Sequence, residues 1–224
     1  MIKITGDCEA ARKLRALFVE AEGDLEVHFD AGGWTKGLNC IAYVNGLRQL
    51  ERYRDASVPT VEFTEDVAVA RRWVREGSLV FGRDRVHEEG TDIVGPQDER
   101  WSRKDFWSKV VPEPLVEWRV QVFCGKRIGQ GLKFQEDRTK AGALPIRNRR
   151  TGWKMTHGIV PPIKVELAAI MAVKALGYDF AAVDTIWKEA TREVFVLESN
   201  RCPGMDDWTV ERYREAIVRE ARRG

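Results

Sequence analysis

The chain lacks any apolar run long enough to span a membrane, and its opening residues, MIKITGDCEAARK, have no leader-like apolar segment. Cysteine and histidine are sparse. Cys8, Cys40, Cys124 and Cys202 lie far apart, match no zinc spacing, and pair with none of the scattered His28, His87 and His157 as a readable thiol nucleophile. Free thiols in a reducing, cytoplasmic setting are therefore expected. Charge of one sign is also lacking. A net charge of +2 gives no general case for nucleic acid or a membrane surface as partner. The one-sided basic stretches are RTKAGALPIRNRR and the final REARRG, and such runs are usually solvated. There is no internal repeat and no low-complexity tract.

What is present is an ordinary globular composition. With 224 residues, 43% hydrophobic and 32% charged, the chain can bury a real core. Residues 9–22 carry Leu14, Leu17, Phe18 and Ala21 at helical spacing, and LEVHF follows as a strand. A helix starting near Asn45 puts Leu47, Leu50 and Tyr53 on one face. A second runs from an N-cap at Thr64 to about Arg75, and SLVFG reads as a strand. Residues 95–114 read as a short helix and connector. LVEWRVQVF and RIGQGLKF form a hairpin with Glu117, Arg119 and Gln121 on one face. EDRTKAGALPIRNRRTGWK reads as loop. IKVELAAIMAVKAL is apolar around its circumference and predicts a buried helix ending at Gly177, and an amphipathic helix begins near Thr209. Antiparallel hairpins mixed with helices make the fold class α+β.

The densest chemistry lies near the C-terminus. AAVDTIW and VFVLESN read as strands joined by the polar turn KEATRE. A turn centred near Thr191 sets Asp184 opposite Glu198, and the two-residue period of a strand puts Glu198 and Asn200 on one face. Two carboxylates and an amide oxygen on one face repel unless a cation joins them, and Mg²⁺ suits an all-oxygen set shared with phosphates. From spacing alone, incidental acids on a solvated hairpin face explain the pattern equally well.

The run LGYDFAAVDTIWKEATREVFVLESNRCPGM resembles the C-terminal signature of the ATP-grasp superfamily of carboxylate–amine ligases. The likeness rests on an Asp-bearing strand, a turn, a Leu-Glu-x-Asn strand closed by Pro-Gly, and a preceding helix ending in LG. LRQLERYRDASVPTVEF, SLVFGRD, EWRVQVFCGKRI and IRNRRTGWK resemble further family segments in the same order, the last in its glutamate-ligase branch. Small phage-type members look most similar, and the likeness runs from about residue 38 to the end. The resemblance implies an ATP-grasp fold with two α+β subdomains clasping ATP. Residues 1–44 would be a reduced N-terminal region, 58–115 a small nucleotide-binding subdomain, and 116–224 a metal-binding subdomain.

It further implies Asp184, Glu198 and Asn200 as Mg²⁺ ligands, with Mn²⁺ an acceptable substitute. Arg83 would contact phosphate, Glu117 the ribose hydroxyls, and residues 110–116 the adenine. Lys133 would assist at the nucleotide. Arg119 would meet the γ-phosphate or acyl phosphate, and Asn148 and Arg150 the substrate carboxylate. The chain departs from the family at Gly46, where a lysine is usual, and in HEEGTDIV, whose single glycine makes a poor phosphate cradle. The implied function is an ATP- and Mg²⁺-dependent ligase making an amide from small-molecule or peptide substrates, releasing ADP and phosphate. The rival readings are a degenerate nucleotide- or protein-binding module and a ligase modifying nucleic acid or another polymer. A second subunit completing the short N-terminal region keeps a homo-oligomer open.

Overall fold

A computed structural model describes residues 2–18, 24–29, 37–39, 43–85, 92–140 and 144–223. The elements in chain order are β1 (Ile2–Thr5), α1 (Glu9–Leu17), β2 (Leu25–His28), α2 (Gly46–Asp55), β3 (Phe63–Thr64), α3 (Val67–Arg75), β4 (Val80–Arg83), β5 (Phe106–Lys109), β6 (Val116–Phe123), β7 (Lys126–Gln135), β8 (Trp153–Thr156), α4 (Ile163–Leu176), β9 (Phe180–Lys188), β10 (Glu193–Asn200) and α5 (Asp207–Ala221). They build an α+β architecture with three sheets: parallel β1–β2, antiparallel β3–β5–β4, and a five-stranded antiparallel sheet in the order β10–β9–β6–β7–β8.

The five-stranded sheet organises the molecule because its two faces meet different partners. On one face Trp118, Val120, Val122 and Val183 pack with α2 and α4 into the main core. Burying such side chains contributes about 1.5–3 kcal/mol each. Gly177 ends α4 in the left-handed region (φ 72°), which is why an LG pair closes this helix. On the other face, α5 covers only one end. There Tyr213 packs on Phe123 and Phe180, and its hydroxyl donates to Gln121 Oε1 at 3.1 Å. The opposite end of that face carries Glu117, Arg119, Asp184 and Glu198.

Four features depart from the sequence expectations. Residues 95–114, read as helix and connector, hold a single 3-10 turn at 101–103 and the strand β5. Phe106, Trp107 and Ser108 are all buried because β5 is the central strand of its sheet, so no alternation marks it. β8 begins at the end of a stretch read as loop, and β1 lies within one left without structure. α3 is capped by Asp66, whose side chain accepts from the Ala68 N–H at 2.7 Å, rather than by Thr64. Cys8 and Cys202 are joined, with Cα atoms 6.5 Å apart, which corrects the expectation of free thiols for this pair, while Cys124 is free as expected. Their separation of 194 residues leaves no local signal for the pairing. Cys40 and most of HEEGTDIV lie outside the described residues.

A buried polar knot fixes the end of β10. Gln49 of α2 accepts from the Ser199 N–H at 2.8 Å and donates to the carbonyls of Val44 and Ser199 at 2.9 and 3.1 Å. The Tyr53 hydroxyl sits 2.8 Å from Ser199 Oγ. Gln49→Leu is expected to lower stability by about 2–4 kcal/mol in chemical denaturation, because it strands buried backbone groups rather than only deleting bonds.

Candidate active site

The hairpin β9–β10 brings Asp184 and Glu198 together by way of a bulge. Glu193 to Val196 pair in register with Lys188 to Thr185, and the register then shifts by one at Leu197. After the shift Glu198 stands opposite Asp184 and Asn200 opposite Ala182. Without the bulge Leu197 would face Asp184, so the extra residue re-aims the acid. On the other side of β9, Arg119 of β6 is the register partner of Asp184. Arg119, Asp184 and Glu198 thus form one row across three strands, on a common face.

The row is tightly charged. Arg119 Nε and a terminal nitrogen each donate to one oxygen of Asp184 at 2.7 Å, a bidentate fork. Lys133 on β7 reaches Glu117, and its Nζ lies 3.6 Å from Asp184. Burial would raise the Asp184 carboxyl, but Arg119 and then Lys133 outweigh it and hold it down at about 2. Glu117 goes the other way. Its burial pushes the carboxyl above the ordinary range, although Lys133 opposes the rise. Burial works against the Lys133 charge, yet Asp184 and Glu117 more than restore it and raise its pKa. Arg119 is likewise raised, chiefly by Asp184.

Arg83 stands at the end of β4, in the other antiparallel sheet. Burial lowers its pKa, and the nearby Glu198 carboxylate partly offsets this. Its Nε is buried and takes no hydrogen-bond acceptor among the described residues. A half-buried arginine with a buried, unused Nε donor is suited to an incoming anion.

The segment 144–153 contributes differently from what its sequence suggests. Asn148 accepts from the Thr151 N–H at 3.0 Å and caps a 3-10 turn, a local structural task. Arg150 is exposed. Arg147, not singled out from sequence, is the arginine that turns inward. It bonds Glu113, lies 3.9 Å from Glu117, and stacks 4.6 Å over Trp153. Its selection depends on the loop folding back over Trp153, which the spacing IRNRR does not reveal.

Asp184, Glu198 and Asn200 supply oxygen donors only, which fits a hard divalent cation. Asn200 Oδ1 already accepts from the Cys202 N–H at 3.1 Å and keeps a second lone pair. Among the described residues no group of three or more His, Cys, Asp or Glu forms a self-sufficient metal cage. Cys124 is no rival nucleophile, since burial pushes its thiol up to about 12. Its alkylation by iodoacetamide at pH 8, followed by mass spectrometry, is expected to be about a thousandfold slower in folded than in denatured protein.

No family model matches the sequence, and no curated protein matches it. Solved structures do match. The ATP-grasp ligase PsnB complexed with a minimal precursor aligns at TM-score 0.58 and 18% identity, covering 79% of this chain and 60% of that one. D-alanine–D-alanine ligase from Bacillus anthracis aligns at TM-score 0.61 and 11% identity, over 98% of this chain and 95% of that one. The chain has the ATP-grasp fold. The macrocyclase MdnC from Microcystis aeruginosa, bound to its precursor peptide, aligns at TM-score 0.53 and 14% identity over 80% of this chain. This chain spans about 60% of the length of PsnB and 61% of MdnC. No helix among the described residues is long and apolar enough to cross a membrane.

Proposed function

We propose that this ATP-grasp protein is an ATP- and Mg²⁺-dependent ligase joining a carboxylate to an amine. The observation that carries the reading is the row Arg119–Asp184–Glu198 across three adjacent strands, with Arg83 carrying a buried, unused Nε donor. A site of this kind places cations where phosphate charge would sit and oxygen ligands where a metal would bridge it. We take residues 58–115 as the nucleotide-binding subdomain and 116–224 as the metal-binding one.

In this reading Asp184, Glu198 and Asn200 would hold Mg²⁺, which would supply positive charge against the ATP phosphates. Arg83 binds phosphate from the facing sheet. Glu117 accepts from the ribose hydroxyls, with residues 110–116 beside the base. Arg119 would exchange its two bonds to Asp184 for bonds to the transferring phosphoryl group. Lys133, freed from Glu117, follows the same negative charge. The substrate carboxylate attacks the γ-phosphorus, the bond to ADP breaks, and ADP takes the electron pair. The amine nitrogen then attacks the acyl carbonyl, phosphate leaves with the C–O electron pair, and the nitrogen loses a proton. Arg119 stabilises the charge that builds in both steps. Asn148 and Arg150 remain assigned to the substrate carboxylate, with Asn148 acting through the turn it caps. Arg147 steadies Glu117 and Glu113 beside the nucleotide.

The ligase PsnB and the macrocyclase MdnC are solved with precursor peptides, which supports peptide carboxylates among the substrates here. Incubation with ATP, Mg²⁺ and pooled amino acids and acidic peptides should yield ADP, phosphate and a product lighter by one water than its two parts. AMP and pyrophosphate would contradict the mechanism. Tight ATP binding with no turnover on any pool would move the reading to a binding module.

A further inference from the structure

Helix α4 is apolar around most of its circumference, yet the described residues cover only one side of it. Val165, Ala169, Ala172 and Leu176 are buried in the main core. Ile163, Leu167 and Met171, four residues apart, are 64%, 51% and 41% exposed, and Val160 just before the helix is 69% exposed. Large apolar side chains lined up on one exposed helical ridge are not explained by folding of this chain. Beside the ridge lies a groove of about 470 Å³, floored by Leu167, Met171, Val194 and Phe195 between α4 and the start of β10. It sits on the face of the five-stranded sheet opposite Arg119 and Asp184.

The charges around the ridge discriminate among occupants. Lys164 and Lys174 are exposed at its two ends, and Arg192 stands on the groove rim. Lys164 donates to the Arg192 carbonyl at 3.1 Å, which leaves both positive charges at the surface. Glu193 is the one acid lining the groove, and it accepts from Thr191 at 2.5 Å. A second copy packed antiparallel about the midpoint of Leu167 and Met171 would set Lys164 against Lys174 at both ends, a repulsive register. An anionic membrane would satisfy the lysines but not the concave shape between helix and hairpin, which accepts side chains rather than a flat surface.

We infer that the α4–β10 groove docks a short peptide segment whose apolar side chains are flanked by aspartate or glutamate. The apolar residues fill the floor over Leu167 and Met171, and the acids meet Lys164, Lys174 and Arg192. The docking face is remote from the oxygen ligands, so this inference and the ligase reading stand or fall separately.

The test is selection of a phage-displayed random peptide library on the full native chain, with binders depleted on Leu167→Glu. Leu167 is half exposed, so this variant should melt with the native protein, and Met171→Glu serves as a second version. Enriched sequences are expected to pair aliphatic or aromatic residues with flanking acids. Their synthetic peptides should lose about tenfold or more in affinity on Leu167→Glu and on the double change Lys164→Glu, Lys174→Glu. No enrichment, enrichment of basic or neutral sequences, or binding indifferent to Leu167 would overturn the inference. A dimer in sedimentation velocity that Leu167→Glu abolishes, or Leu167-dependent sedimentation with phosphatidylserine vesicles, would assign the face to another occupant and overturn it equally.

Discussion

Glu198→Ala is expected to weaken Mg²⁺-dependent ATP binding by on the order of 100-fold, about 2.7 kcal/mol, while leaving the fold intact. The reason is the division of labour along the row. Asp184 is held by two oxygen-to-guanidinium bonds and lies 3.6 Å from Lys133, so its charge is already matched in the free protein. Glu198 is set opposite Asp184 by the Leu197 bulge, and its charge supports Arg83 and Arg119. On the proposed reading, removing its carboxylate takes away a metal ligand, and it also removes negative charge that supports Arg83 and Arg119, so a small loss of stability should accompany the larger loss of affinity. Titration calorimetry with and without Mg²⁺ reads the affinity, and thermal melting reads the fold. Unchanged Mg²⁺-dependent affinity would remove Glu198 from the metal site.

Arg119→Met should behave in the opposite way and lose stability first. It removes one member of a buried ion pair and leaves Asp184 with Lys133 alone, a loss of about 3 kcal/mol. For a chain of this size that corresponds to a fall in Tm of roughly 6–12 °C. Restoring an apolar match with Asp184→Leu in the same protein should recover part of the loss, which a double-mutant cycle would measure. The pH dependence follows from the depressed Asp184 carboxyl. In the unfolded chain it titrates near the ordinary ~3.9, and in the folded chain at about 2. The pair's stabilisation is therefore full above roughly pH 4 and is lost as pH falls toward 2. Arg119→Met should flatten that acid-side slope in metal-free buffer. A variant as stable as the native protein with the same slope would show that the fork contributes little.

Much of the site could be placed before any coordinates. The polar KEATRE turn and the two-residue strand period set Asp184 against Glu198, and the structure pairs them. The bulge that makes this so was hidden, because nothing in VFVLESN distinguishes an extra residue at Leu197 from a regular one. Glu117 and Arg119 shared a predicted face, and both line the row. Lys133 reaches it from the neighbouring strand. Strands β5 and β8 escaped notice for different reasons. β5 is buried on both sides and shows no alternation, whereas β8 is a four-residue strand set among basic and glycine residues that read as loop. Arg147 and the Cys8–Cys202 link are products of tertiary folding: one loop laid over Trp153, and two chain segments 194 residues apart in sequence. Local patterning carries no trace of either.

Hydroxylamine can stand in for the unknown amine and expose the central step directly. The native protein, ATP and Mg²⁺ are mixed with pooled carboxylates and acidic peptides, hydroxamate is followed by its iron(III) colour, and nucleotides are separated by chromatography. An acyl phosphate route predicts carboxylate-dependent hydroxamate with equal amounts of ADP and phosphate, all lost in Glu198→Ala. Hydroxamate accompanied by AMP and pyrophosphate, or ADP release that ignores the carboxylate, would contradict it.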